Sequence, residues 1–272
     1  MTHIEIADFR ARYGPWALVA GASAGLGAEF AAQLAARGLN LVLIARRKET
    51  LDELAATLMH DHAIEVRTLQ LDLGSDDSES VMMAATSDLE IGLLVYNAAT
   101  VITGPYFEIT LQDHLKEITV NCKGLLTLAY ILGQRMLKRR RGGMVFMSSL
   151  SSFQGSALIA NYAATKAYSR ILGEGLWEEL RTQGIDVVTC SPSAISTPAY
   201  LADAPHMTRR VSSATMTPRE VAAETLAALG KRPVVIPGRG NRLANVLMQR
   251  VFPRKMAIAL MGRVMRRMYQ EG

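Results

Sequence analysis

Short apolar runs alternate along this chain with longer stretches in which apolar residues recur every three or four positions. The runs at residues 16–20, 39–45, 64–71, 93–96, 143–147 and 185–190 have strand length and read as strands. Between them, residues 27–37, 49–59, 76–86, 111–138 and 161–182 read as helices, and a last helix spans 221–229. Gly38 stands where the first helix must stop. Thr217-Pro218 supplies an N-cap and a first helical residue for the last one. Strands that are apolar throughout, not at every second position, are buried on both faces. The alternation therefore predicts an α/β fold, a single-domain doubly wound parallel sheet with helices on both faces. No repeat, low-complexity segment or linker divides residues 1–240.

Residues 241–272 have a different character, with Leu247, Val251, Met256, Val264 and Met268 set among arginines at helical spacing. From Arg239 onward, eight basic residues stand against one acidic residue, a net +7, so the whole chain's +5 leaves −2 for the remainder. The positive charge belongs to this tail and not to the domain, and no nucleic-acid partner is expected. A basic amphipathic tail suits an anionic membrane surface, packing on its own domain, or a subunit contact. Composition, at 49% hydrophobic and 20% charged residues, is that of a globular protein and excludes disorder. Two cysteines make neither a disulfide framework nor a zinc cluster and suit a reducing compartment. The five histidines lack metal-ligand spacing, so no metal is expected. No apolar run approaches the roughly 18 residues of a membrane helix, and the polar start does not read as a secretory signal. The expectation is a soluble, cytoplasmic protein, at most peripheral on a membrane surface.

The first strand runs into Gly21-Ala-Ser-Ala-Gly25-Leu-Gly27. Glycines there permit a tight turn and a close approach to a pyrophosphate, and the helix that follows offers free N–H groups to it. In NAD-binding units a carboxylate near the end of the second strand holds the ribose hydroxyls. Here that place reads Arg46-Arg47-Lys48. Arg46 is expected to clamp a 2′-phosphate, with Arg47 solvating the next helix entrance, which favours NADP(H) over NAD. Tyr162 and Lys166, four apart on a helical stretch, share a face. A phenol serves as an acid or base near neutral pH only when a cation stabilises the phenolate, and Lys166 is that cation. Ser149 follows the strand at 143–147, at the sheet edge where ligands bind in open α/β folds.

Together Gly21-x-x-x-Gly25-x-Gly27, Asp72, Asn97-Ala98-Ala99, Asn121, Ser149 and Tyr162-x-x-x-Lys166 resemble the short-chain dehydrogenase/reductase family along nearly the whole chain. The stretches 14–20 and 37–46 resemble its 17β-hydroxysteroid dehydrogenase and 3-ketoacyl reductase branch. The resemblance implies a Rossmann fold and NADP(H)-dependent hydride transfer with a carbonyl or secondary alcohol, steroid-like or 3-ketoacyl-like. It implies that Tyr162 exchanges the proton and that Ser149 holds the reacting oxygen. Lys166 would lower the Tyr162 pKa and bind ribose hydroxyls, and Asn121 would hold a water leading to Lys166. Cofactor contacts are implied for Gly21, Ser23, Gly25, Leu26, Gly27, Arg46, Asp72, Leu73, Asn97, Ala98, Tyr162, Lys166, Pro192, Ile195 and Thr197. Homodimers or homotetramers paired through the helices at 111–138 and 161–182 are also implied.

Two departures from the family pattern carry expectations. Tyr96 is expected to fill space beside the cofactor, and Ser193, where the family has glycine, to narrow the approach to the nicotinamide. Residues 197–216 read as a loop over the substrate, His206 among them. A catalytically silent NADP-binding sensor or membrane tether is the competing reading, against which the intact Ser149, Tyr162 and Lys166 count.

Overall fold

A computed structural model describes residues 3–197 and 215–269. Seven strands are present: β1 (Trp16–Ala20), β2 (Asn40–Ala45), β3 (Val66–Gln70), β4 (Ile91–Tyr96), β5 (Gly142–Met147), β6 (Ile185–Cys190) and β7 (Val234–Val235). They form one sheet in the order β3-β2-β1-β4-β5-β6-β7, parallel at every pairing. β4, β5 and β6 are buried at every residue, as strands covered on both faces must be. One face carries α2 (Gly25–Ala35), α3 (Lys48–His62) and α8 (Pro218–Ala228), through Phe30, Leu34, Leu51 and Val221. The other carries α4 (Ser78–Ala85), α6 (Gly124–Arg139) and α7 (Ala160–Leu180), through Met82, Leu128, Leu132 and Leu180. The predicted doubly wound parallel sheet is the fold observed.

Several elements differ from expectation for identifiable reasons. Residues His3–Tyr13 form a helix, α1, that the apolar pattern does not announce; among its described side chains, Phe9 and Tyr13 pack against the core. Tyr13 is held by the edge of a distant strand, β6, its hydroxyl donating to Asp186 Oδ2 at 2.6 Å, where Arg12 Nε also sits at 2.6 Å. The helix expected at 111–138 is two, α5 (Leu111–Ile118) and α6, joined by a π-helical turn at Thr119–Lys123. Periodicity of 3.6 does not reveal one inserted residue, and such turns often mark functional sites. α8 opens as expected at Thr217, whose hydroxyl accepts from Glu220 N–H while the Glu220 carboxylate accepts from Thr217 N–H.

The basic tail folds into α9 (Arg239–Val246), a π-helical turn (Leu247–Val251) and α10 (Arg254–Tyr269). Ala257 and Met265 are buried, and several side-chain links tie the tail to the domain, among them the Arg242–Glu224 ion pair at 2.9 Å. Asn241 donates to Ser193 Oγ at 2.9 Å, Gln249 to Gln154 Oε1 at 2.9 Å, and Arg254 to the Phe153 carbonyl. Most of the expected substrate loop at 197–216, with His206, lies outside the described residues. Among the described residues no helix is long and apolar enough to cross a membrane.

Candidate active site

Strand order reverses between β1 and β4, so a crevice opens at the carboxyl ends of these two strands. Gly21 and Asn97 stand at those ends, and Asn97 Nδ2 donates to the Gly21 carbonyl at 3.0 Å. Gly21 has φ +80°, and a Cβ on it would lie 2.7 Å from the Ala98 Cα. A Cβ on Gly27 would lie 2.0 Å from the Gly21 carbonyl oxygen and 2.8 Å from Asn97 Nδ2. Both positions are therefore restricted to glycine by backbone atoms that cannot step aside. Gly25 begins α2, and Leu26 packs inward behind it. α2 has no side-chain cap at Ala24 and no acidic residue in its first turn. Its leading N–H groups and positive dipole end are thus left for an anion. This cradle fits a dinucleotide pyrophosphate.

At the end of β2 both Arg46 and Arg47 are exposed. Arg47 Nη2 reaches Ser23 Oγ in the glycine turn at 3.3 Å, whereas the backbone carbonyl of Arg46 accepts from Gln70. Arg47, expected only to solvate the next helix entrance, is thus the arginine that reaches the turn, beside Arg46, the expected clamp. Asp72 and Leu73 follow β3, where the Asp72 carboxylate accepts from Gly74 N–H at 2.9 Å and Leu73 is buried.

The β5 end and α7 are stitched together around Lys166. Its Nζ donates to the Met147 carbonyl at 2.9 Å, and Ser148 Oγ donates to the Lys166 carbonyl at 2.7 Å. Ser148 thus packs and holds. Lys166 Nζ lies 5.6 Å from the centroid of the half-buried Tyr162 ring. Burial pulls the Lys166 pKa down from 10.5 to about 8, against the raising influence of Cys122 and Glu117. Ser149 caps the short 3-10 turn Leu150–Phe153, and its Oγ accepts from Ser151 N–H at 3.2 Å. With an N–H on its acceptor side, its own O–H proton is available to a ligand oxygen.

Asn121, buried in the π-helical turn, receives Thr100 N–H at 2.8 Å and donates to the Thr100 carbonyl at 2.8 Å and Thr165 Oγ1 at 3.0 Å. Thr165 in turn donates to the Tyr162 carbonyl at 2.8 Å. On the other side, Leu150 N–H donates to the Pro192 carbonyl at 2.9 Å, which joins the Ser149 turn to the loop after β6. Ile195 pairs with Met216, and Thr197 N–H turns back to the Ile195 carbonyl at 2.7 Å.

One expectation is corrected here. Tyr96 does not stand beside the cofactor crevice. It shares the strand face of Leu94, is 2% exposed, and donates its hydroxyl to the Val120 carbonyl in the π-helical turn. A Cβ on Gly124 would collide with that hydroxyl, so the glycine opens the space the phenol fills. Ser193, expected to narrow the approach to the nicotinamide, is an acceptor that holds the tail at Asn241.

The sequence pattern of the short chain dehydrogenases matches residues 15–206. A 7β-hydroxysteroid dehydrogenase of Clostridium sardiniense is 32% identical over 235 residues, 86% of this chain and 90% of that protein. A very-long-chain 3-oxoacyl-CoA reductase of Aspergillus clavatus is 32% identical over 223 residues, 80% of this chain but 63% of that longer protein. Among solved structures, a 7β-hydroxysteroid dehydrogenase superposes with TM-score 0.89 at 26% identity, covering 93% of this chain and 98% of that one. A short-chain dehydrogenase from Sphingobium yanoikuyae in complex with NADPH superposes with TM-score 0.73 at 29% identity, covering 88% and 97%. The chain therefore belongs to the short-chain dehydrogenase family, as an oxidoreductase of its steroid and ketoacyl reductase branch.

Proposed function

We propose that this protein is an NADP(H)-dependent oxidoreductase that interconverts a lipophilic carbonyl, steroid-like or 3-ketoacyl-like, and its secondary alcohol. The observation that carries the reading is Lys166, buried between the β5 end and Tyr162 with its pKa drawn to about 8. A desolvated ammonium beside a phenol is the pairing that proton exchange near neutral pH requires. The substrate class rests on likeness to a hydroxysteroid dehydrogenase and a 3-oxoacyl-CoA reductase. The choice of NADP(H) rests on Arg47, Arg46 and the absence of a carboxylate where β2 ends, and on likeness to an enzyme with NADPH bound.

When bound, the nicotinamide supplies or accepts the hydride. The chain's own residues do the rest. The cradle of Gly21, Gly25 and Gly27 with the α2 N-terminus binds the pyrophosphate. Ser23 and Arg47, with Arg46 beside them, hold the 2′-phosphate, and Asp72, Leu73, Asn97 and Ala98 line the crevice. Pro192, Ile195 and Thr197 border the nicotinamide end. Tyr162 gives its phenolic proton to the carbonyl oxygen in reduction and recovers it in oxidation. Ser149 donates to the same oxygen. One of the three Lys166 donors is spent on Met147, leaving two for ribose hydroxyls. The Asn121 side chain is committed to Thr100 and Thr165, so a water leading to Lys166 falls to the backbone of its turn.

Exposed Leu115, Ile118, Leu126, Tyr130 and Ile171 on α5, α6 and α7 support pairing with a second copy. The links from Asn241, Gln249 and Arg254 favour a tail packed on its own domain over a free membrane-binding helix. Free Cys122 and Cys190 suit a reducing, cytoplasmic setting.

The test is titration with NADPH and NADH, then absorbance at 340 nm with a panel of steroid ketones, 3-oxoacyl thioesters and simple ketones. Carbonyl-dependent NADPH oxidation is expected. Binding of neither nucleotide refutes the reading, and tight binding with no turnover across the panel favours the silent sensor.

A further inference from the structure

One buried carboxyl beside the site has no place in the chemistry above. Glu117, at the end of α5, is 1% exposed, and among the described residues it has no cation within ion-pair distance. Burying a carboxylate without a paired charge is costly unless hydrogen bonds compensate. Two do: Glu117 Oε1 accepts from Ile102 N–H at 3.1 Å, and Oε2 from Asn161 Nδ2 at 2.6 Å. Asn161 also donates to the His114 carbonyl at 3.1 Å.

The positions of these donors give the arrangement its meaning. Ile102 lies in the loop that leaves β4 past Asn97, the same loop whose Thr100 is held by Asn121. Asn161 immediately precedes Tyr162 in the first turn of α7. That turn has no side-chain cap at Ile159 and no acidic residue of its own. The Glu117 carboxylate, reached through the Asn161 amide, therefore also meets the positive end of a 21-residue helix.

We propose that Glu117 is a positioning residue for the reaction, setting the first turn of α7, and with it Tyr162, against the loop between β4 and α5. This rests on the role given to Tyr162 above. Its charge has a second consequence. The groups facing it are His114 on α5, Cys122 in the π-helical turn, Asn161 and Lys166 on α7, and Ile102 in the loop, with Tyr162 next to Asn161 in the chain. Burial pushes the Glu117 carboxyl up, while Ile102 N–H, the Asn161 amide and the charges of His114 and Lys166 pull it down. A negative charge here opposes the Tyr162 phenolate and supports the Lys166 ammonium. Removing it moves both titrations to lower pH.

The experiment compares wild type with Glu117→Gln and Asn161→Ala. Tyr162 is titrated in protein labelled at tyrosine 13Cζ, its resonance assigned with Tyr162→Phe, and kcat for alcohol oxidation is followed against pH. In Glu117→Gln the Tyr162 midpoint should fall by about half a pH unit or more. Both limbs of the kcat profile should follow it, with kcat lowered about tenfold and KM for NADP+ within twofold. A midpoint and profile superimposable on wild type overturn the proposal, whether or not kcat falls, because lost activity alone marks a merely structural residue. Should Glu117→Gln fail to fold, Asn161→Ala decides, since it leaves the carboxylate in place. A tenfold lower kcat at unchanged cofactor KM supports the proposal, and kcat within twofold of wild type overturns it. The tyrosine titration needs no substrate, so it judges Glu117 even if the wild type turns over no carbonyl and the functional reading itself fails.

Discussion

Lys166 should weaken the nucleotide-free protein at neutral pH, and Lys166→Met should relieve it. The side chain is 3% exposed, and its Nζ reaches the Met147 carbonyl at 2.9 Å. Burial brings its pKa from 10.5 to about 8. A group whose folded pKa lies below its unfolded value binds its proton more weakly when folded. Between about pH 8 and 10.5 the unfolded chain holds more protons, so stability rises with pH through that window and the full penalty applies below it. At about 1.4 kcal/mol per pH unit, the penalty at pH 7 is about 3 kcal/mol. Methionine removes it but leaves the Met147 carbonyl without that donor, a cost of about 1 kcal/mol. The variant should therefore be about 2 kcal/mol more stable at pH 7, or about 4–8 °C in Tm. The gain should vanish and reverse towards pH 10.5, where the wild-type lysine is neutral in both states. Urea denaturation of both proteins across this pH range measures it, without nucleotide because bound ligand stabilises the native state separately. A variant less stable than wild type at pH 7, by a margin independent of pH, refutes the reasoning.

Other consequences follow from the same geometry. Arg47→Leu should weaken NADPH binding about tenfold or more while leaving NADH within twofold, with a smaller effect from Arg46→Leu. An unchanged NADPH/NADH affinity ratio in both variants removes this corner as the selector. Asp186→Ala strands the Tyr13 hydroxyl, costing about 2 kcal/mol. Calorimetry should show Tm lower by about 4–8 °C, with kcat preserved, because Asp186 lies at the opposite end of β6 from the site. Ser193→Gly removes one acceptor of Asn241, its side-chain partner on the loop after β6, so trypsin should cut the arginine-rich tail faster than in wild type. Equal cleavage rates would show that this link does not secure it.

The sheet is legible because its central strands β1, β2 and β4 are apolar at nearly every position and the crossovers carry a helical period. The glycine cradle was legible because backbone crowding at Gly21 and Gly27 leaves the sequence no other residue. What escaped were features carried by single polar contacts between distant segments. Nothing near Phe9 and Tyr13 in sequence announces that Asp186, 173 positions on, secures the first helix. Arg46 and Arg47 are equivalent by composition, and only the backbone direction after β2 decides which reaches Ser23. Tyr96 was misplaced because a strand residue's face depends on register, which a run apolar on both sides does not encode. Glu117 does not stand out in the sequence because an acidic residue on an amphipathic helix reads as solvent-facing. The extra residue of the π-helical turn alters the angular register between α5 and α6, and Glu117 is buried against α7.

The most direct test of the central claim compares wild type with Tyr162→Phe in NADPH oxidation at 340 nm, using a ketone that the wild type reduces. The account predicts turnover lowered at least about hundredfold, with NADPH affinity within twofold, since the phenolic hydroxyl supplies the proton and the cradle binds the nucleotide. Turnover of Tyr162→Phe at the wild-type rate would contradict it.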